Sequence, residues 1–181
     1  ETRALRLVVK AVHLDMTLVP AVTAQARLLA AAGRRRRAEK VLEDAWRRLP
    51  ASALASAWRD IARDATPLQQ VKRFQRLLSL GPDNAEGRIA LARVALEARL
   101  WGVARANLGP LAALAAPDPR VCRLMAELES AEHGDGDAAR AWLERAAGPD
   151  DATREEGEME STGLLSAGDH VPDNSDASAR K

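Results

Sequence analysis

The sequence predicts an all-α protein built from antiparallel helix pairs, and three observations predict it. Apolar residues make up 46% of the 181, dominated by Ala and Leu, with no Tyr and a single Phe. Strong helix formers prevail, while the β-branched and aromatic residues that favour strands are scarce. Three columns of small and apolar residues recur in one phase: Ala4, Ala38, Gln70, Ala104 and Ala139; Val8, Leu42, Phe74, Leu108 and Leu143; Ala11, Ala45, Leu77, Leu111 and Ala146. Each step down the first column is 34, 32, 34 and then 35 residues. Pro20, Pro50, Pro82, Pro117 and Pro149 recur at a similar spacing. Proline is expected just beyond a helix end, where it cannot continue the ladder.

A period near 34 made of two helices is the spacing of tetratricopeptide-like (TPR) repeats. The expected fold is therefore a TPR-like superhelix over residues 1–147, followed by an acidic tail, 148–181. Element by element, residues from about 2 to 15 carry the second-helix columns with no first partner, which predicts an array continuing upstream. Helices over about 18–32 and 35–48 form the next pair, split by Gly33, where a left-handed cap costs little. The following pair spans about 52–64 and 67–80, with Pro67 in a first turn. A third spans about 84–98 and 101–115, with Asn84 as N-cap and a kink or early end expected at Pro110. The fourth spans about 118–133 and 137–147, broken by Gly134-Asp135-Gly136-Asp137, with Asp135 or Asp137 as cap. The tail mixes Gly, Ser, Asp, Glu and Pro without periodicity and is expected to be disordered.

The net charge of +1 hides an asymmetry. From Gly148 onward there are nine acidic and three basic residues, which leaves a net of +7 on residues 1–147. A basic body suits an acidic peptide, an anionic lipid surface or nucleic acid. A single cysteine, Cys122, excludes an internal disulfide. No stretch approaches the ~18–20 apolar residues of a membrane span. No nucleophile elbow, phosphate loop or HExxH motif is present, so the chain reads as a binding scaffold and not an enzyme. Cys122, Met125 and His133 invite a metal or haem reading, but Cys122 and His133 stand ~16 Å apart along one helix. Core packing explains Cys122 and Met125 better, and no metal site is assigned. Trp46, Trp58, Trp101 and Trp142 fall at repeat-related places and read as packing.

Two basic clusters remain. Aligned by the columns, Arg27, Arg59 and Arg93 occupy one equivalent first-helix position, with Arg63 one helical turn beyond Arg59. First helices line the concave surface of such arrays, and guanidinium is a fixed fork for carboxylates, so these four are the candidate partner-binding residues. The plainer alternative is that they pair with neighbouring Asp and Glu. The densest charge run is Arg34, Arg35, Arg36 and Arg37 with Lys40. Positive charge at a helix N-terminus opposes the macrodipole, so the run does not serve helix stability. It is a candidate membrane or anion patch, or simply a solvated turn. Nucleic acid is not expected, because no aromatic platform interleaves with it.

The stretches Ala26–Trp46, Ala90–Arg105 and Arg120–Ala146 resemble the C-terminal TPR region of HemY-type proteins, bacterial inner-membrane proteins associated with haem biosynthesis. The resemblance covers residues 1–147. It implies a membrane-anchoring N-terminal segment absent here and an array on the cytoplasmic side. The implied role is a scaffold in haem (protoporphyrin) biosynthesis, with haem-pathway enzymes as partners through the groove arginines. Related proteins continue into an Asp-Pro-Ala-Trp stretch with a cysteine; this chain does not. Three other readings are a tetrapyrrole carrier, with haem propionates on the arginines and His133 or Cys122 on iron; a generic TPR adaptor unrelated to haem; and an acidic tail lying in the basic groove.

Overall fold

The computed structural model describes residues 18–134 and 136–148. The chain divides into two units after residue 146, and only Ala147 and Gly148 of the second are among the described residues. The predicted helix over 2–15, the cap at Asp135 and the tail from 149 onward lie outside them.

The described residues are helical, with no strand. The helices are α1 (Val19–Ala31), α2 (Arg35–Arg48), α3 (Ser52–Asp60), α4 (Pro67–Ser79), α5 (Ala85–Glu97), α6 (Trp101–Ala112), α7 (Pro119–His133) and α8 (residues 137–148). None is long and apolar enough to cross a membrane.

Local chemistry sets most of the boundaries. Gly33, with φ of 72°, closes α1: the Gly33 N–H donates to Ala30 O and the Arg34 N–H to Leu29 O. These two bonds are the paired closure of a left-handed helix end. The same pair recurs two repeats later, from Arg99 to Leu96 and from Leu100 to Ala95. There the left-handed residue is Arg99, φ 55°, a conformation that costs an L side chain about 1 kcal/mol or more. Thr66 and Gln69 form a reciprocal capping box at α4, with Pro67 in its first turn. Asn84 caps α5 by accepting from the Glu86 and Gly87 amides. Asp118 caps α7.

Two expected boundaries move. The helix expected over 52–64 ends at Asp60, and 61–64 is a turn closed by Ala62 N–H on Arg59 O. Helix α6 runs through Pro110 and stops at Ala112, short of 115. Proline forfeits one amide but the ladder closes beyond it, with the Ala113 N–H donating to Gly109 O.

The columns form the core. Ala38, Leu42, Ala45, Phe74, Leu77, Ala104 and Leu108 are all buried in one cluster. Trp46 and Trp58 are among the largest fully buried side chains, and Trp101 and Trp142 pack against the cluster. Gln70 stands where other repeats have Ala, and its Nε2 donates to Ala62 O at 2.6 Å. The second column breaks at its end: Leu42, Phe74 and Leu108 are 1%, 3% and 0% exposed, but Leu143 is 53% exposed. Consecutive helices pack on one another from α1 to α3 and from α4 to α7, while α3 and α4 make little direct contact. The odd-numbered helices also touch in a row, α1 on α3, α3 on α5 and α5 on α7. Gly87 of α5 permits close approach to α4 and α2, since a Cβ would meet Leu78 Cδ1 at 2.9 Å and Trp46 Cζ2 at 3.4 Å.

Candidate functional site

The row of odd-numbered helices carries a cavity of about 420 Å³. Its floor is apolar: Ala55 of α3, Phe74 of α4, and Ile89 and Val94 of α5. Its rim holds three arginines, Arg59 from α3, Arg93 from α5 and Arg120 from α7. Ser52, Ser56 and Glu86 complete the polar edge.

The arginines differ in what already holds them. Arg59 donates to Glu97 at 2.6 Å, tying α3 to α5. Arg120 donates to both Glu86 oxygens, at 3.1 and 2.6 Å, tying α7 to α5, and also to its own cap Asp118. That bond from Arg120 holds the Asp118 carboxyl below its ordinary value. Arg93 makes no ion pair among the described residues and is exposed over the apolar floor. It is the rim cation available to an incoming carboxylate.

The other two candidate groove residues stand outside this cavity. Arg27 reaches Asp60 at 3.4 Å, a contact between α1 and α3. Arg63 lies in the turn after α3 and not one helical turn beyond Arg59, because the helix has already ended; it sits 3.5 Å from Asp60 and is largely exposed. The structure thus brings Arg59 and Arg93 to one cavity and leaves Arg27 and Arg63 around Asp60. Arg120 was missed by sequence reasoning. Its signal was available: Glu86 and Arg120 are 34 residues apart, one repeat.

A similar interval separates the partners of two other ion pairs between α2 and α4. Glu39 and Arg73 are 34 residues apart and bonded, and Arg73 also donates to Trp58 O at 3.1 Å and lies 4.6 Å over the Trp58 ring. Arg76 meets Glu43 at 2.7 Å. Between α6 and α7, Arg105 donates to Glu129 at 2.8 Å and to Glu132. The Arg105 bond holds the Glu129 carboxyl below its ordinary value.

Of the turn cluster, only Arg35 is engaged, with Glu39 at 3.5 Å and Asp64 at 3.2 Å. Arg34, Arg36, Arg37 and Lys40 are exposed and form no ion pair among the described residues. Cys122 and Met125 are buried core side chains, while His133 is 69% exposed beside Glu129 at the far end of α7. Among the described residues no three His, Cys, Asp or Glu side chains cluster as a metal site.

No family model matches the chain. Over 149 residues it is 36% identical to a probable magnetosome protein, Mms48, of Magnetospirillum gryphiswaldense. The match takes in 79% of this chain and 32% of the relative, so the chain spans about a third of that protein's length. This finding overturns the expected kinship with HemY-type proteins: it leads to a magnetosome protein, and nothing in it points to HemY. The assigned role in haem biosynthesis, and the haem-pathway partners and inner-membrane placement that came with it, lose their basis. The tetrapyrrole-carrier reading falls for the same reason, and the burial of Cys122 away from the exposed His133 gives it no geometric support. A generic adaptor is no better supported by the similarity.

Proposed function

We propose that this chain is a partner-docking segment of a longer, magnetosome-associated protein, with a TPR-like superhelical arrangement and no catalytic role of its own. The period of 32 to 35 residues, and the row of alternate helices with their partners packed between, support the TPR-like reading. The likeness to a probable magnetosome protein supports the setting. Docking rests on one observation: Arg93, with no ion-pair partner among the described residues, stands at the rim of a cavity that has an apolar floor and is lined from α3, α5 and α7.

The chemistry of that cavity selects its ligand. An apolar side chain fills a floor of Ala55, Ile89 and Val94, and a neighbouring carboxylate meets Arg93. Arg59 and Arg120 present the same charge but are committed to Glu97 and Glu86. They orient the rim and hold the helices that form it. The partner is therefore a protein segment with an acidic residue beside an apolar one.

The test has two arms. A tagged chain expressed in a magnetosome-forming cell is expected to co-fractionate with magnetosomes; uniform distribution would remove the setting. In titration calorimetry, a peptide pairing Asp with Leu is expected to bind the wild type and to bind Arg93→Ala much more weakly. Its Asn counterpart should bind neither. Equal binding of the Asp peptide by Arg93→Ala would sink the docking site. Arg93 is the informative position because Arg59→Ala also breaks the α3–α5 pair with Glu97.

A further inference from the structure

We propose that the turn between α1 and α2 is a docking surface for an anionic lipid bilayer, formed by Arg34, Arg36, Arg37 and Lys40. This rests on observations separate from the cavity.

The four side chains make one continuous exposed patch. On a helix, residues three and four apart are neighbours, so Arg34 adjoins Arg37, Arg37 adjoins Lys40, and Lys40 adjoins Arg36. None has a carboxylate partner among the described residues, although carboxylates are near. Glu39, Glu43 and Asp44 border Arg36 and Lys40. Each is occupied: Glu39 by Arg73 and Arg35, Glu43 by Arg76, and Asp44 by Arg47. The fifth basic residue, Arg35, is drawn off to Asp64 and Glu39. Arg73, Arg76 and Arg120 are each placed against an acid about one period away; at this turn four charges close together have no such partner among the described residues.

The local backbone does not account for them. Helix α2 has no side-chain cap and no acidic residue in its first turn. Its dipole therefore adds to the positive side chains and opposes them energetically. An acidic residue there would stabilise the helix, so the cluster is costly to the fold.

Geometry favours a laterally extended partner. Consecutive arginines at a helix start fan outward at about 100° to one another, and cannot converge on a single carboxylate. The shallow space beside Arg34, Arg36 and Arg37 is lined by Gly33 and Arg34–Arg37, with no apolar side chain or ring. A peptide would find no anchor and a nucleic acid no stacking platform. A layer of lipid phosphates offers many acceptors over an area and needs neither. With no apolar residue to insert, the contact is peripheral and screened by salt, over a Debye length of about 10 Å at 0.1 M.

The experiment is co-sedimentation of the full chain with vesicles of phosphatidylcholine alone, or containing phosphatidylglycerol, at low and high salt. Binding is expected only to the anionic vesicles and to be lost at high salt. The variant Arg34→Gln, Arg36→Gln, Arg37→Gln, Lys40→Gln should reduce it by on the order of tenfold or more. The control Arg48→Gln, Arg88→Gln, Arg123→Gln, Arg140→Gln loses the same charge from other places and should reduce it far less. Circular dichroism must show both variants equally helical. Inorganic phosphate at millimolar levels should not displace the vesicles, whereas displacement would mark a single-phosphate site instead. Equal loss in both variants would reduce the effect to net charge. Binding to polyglutamate with none to anionic vesicles would reassign the patch to an acidic protein. Either of these results, displacement by phosphate, or no vesicle binding at all, overturns the proposal.

Discussion

Helix α2 carries two arrangements of charge only a few residues apart, and they serve opposite ends. On its side facing α4, Glu39 and Glu43 accept from Arg73 and Arg76, one repeat further along the chain. At its start, Arg34, Arg36, Arg37 and Lys40 meet no carboxylate among the described residues. The first arrangement is a seam that ties neighbouring repeats. The second is an uncompensated patch at an uncapped helix end. Within α2, then, Glu39 and Glu43 engage arginines about one period further along the chain, while the basic residues at its start have no acid there to engage.

The largest effect that sharpens this comparison lies in the seam. Arg73 is mostly buried, pairs with Glu39, donates to Trp58 O and stacks on the Trp58 ring. Arg73→Ala should destabilise by about 2 kcal/mol in urea unfolding, because it strips several contacts from one site. A loss indistinguishable from zero would mean the seam is ornamental. Next come the helix starts. Thr66→Ala removes the α4 capping box and should cost about 1 kcal/mol. Arg34→Asp supplies the cap that α2 lacks and should stabilise by up to about 1 kcal/mol. Opposite signs at two helix starts are the expected signature.

A smaller effect concerns acid. Hydrogen bonds from Arg105 and Arg120 hold the Glu129 and Asp118 carboxyls below their ordinary values in the folded chain. Their stabilisation is therefore complete above the unfolded carboxyl range, near pH 4, and is lost as pH falls through the lower folded values. Arg105→Gln should flatten the acid limb of the stability profile, measured by thermal unfolding across pH. An unchanged limb would show that the pair with Glu129 contributes nothing to acid sensitivity.

Much of the helical layout was legible because it repeats. The columns through Leu42, Phe74 and Leu108 marked the buried faces, and Gly33, Pro67 and Asn84 marked ends through local chemistry that needs no tertiary information. The early end of α3 was not legible. Residues 61–64 are compatible with helix by propensity, and only the structure shows them closing into a turn. Arg99 was missed because a left-handed end is ordinarily signalled by glycine, and here none stands. The site was half legible. Column alignment put Arg59 and Arg93 on equivalent positions, and both reach one cavity. That Arg59 is held by Glu97 was beyond the sequence, since Glu97 stands 38 residues from it. Glu127 stands one period from Arg93, yet the two do not pair among the described residues. Some charges share the period of the apolar residues, as Glu39–Arg73 and Glu86–Arg120 do at 34 residues. The HemY resemblance failed for a related reason: Ala-, Leu- and Arg-rich repeat wording reflects the helical scaffold and is weak on lineage.

The central claim is that Arg73 and Arg76, each paired with an acid about one period away, hold neighbouring helices together, while Arg36 and Arg37 of the α1–α2 turn do not. Thermal unfolding of two charge-matched variants tests it most directly, Arg73→Gln with Arg76→Gln against Arg36→Gln with Arg37→Gln. The account predicts that the seam variant melts several degrees lower and that the turn variant melts at or above the wild-type temperature. A turn variant that loses as much stability as the seam variant would contradict it.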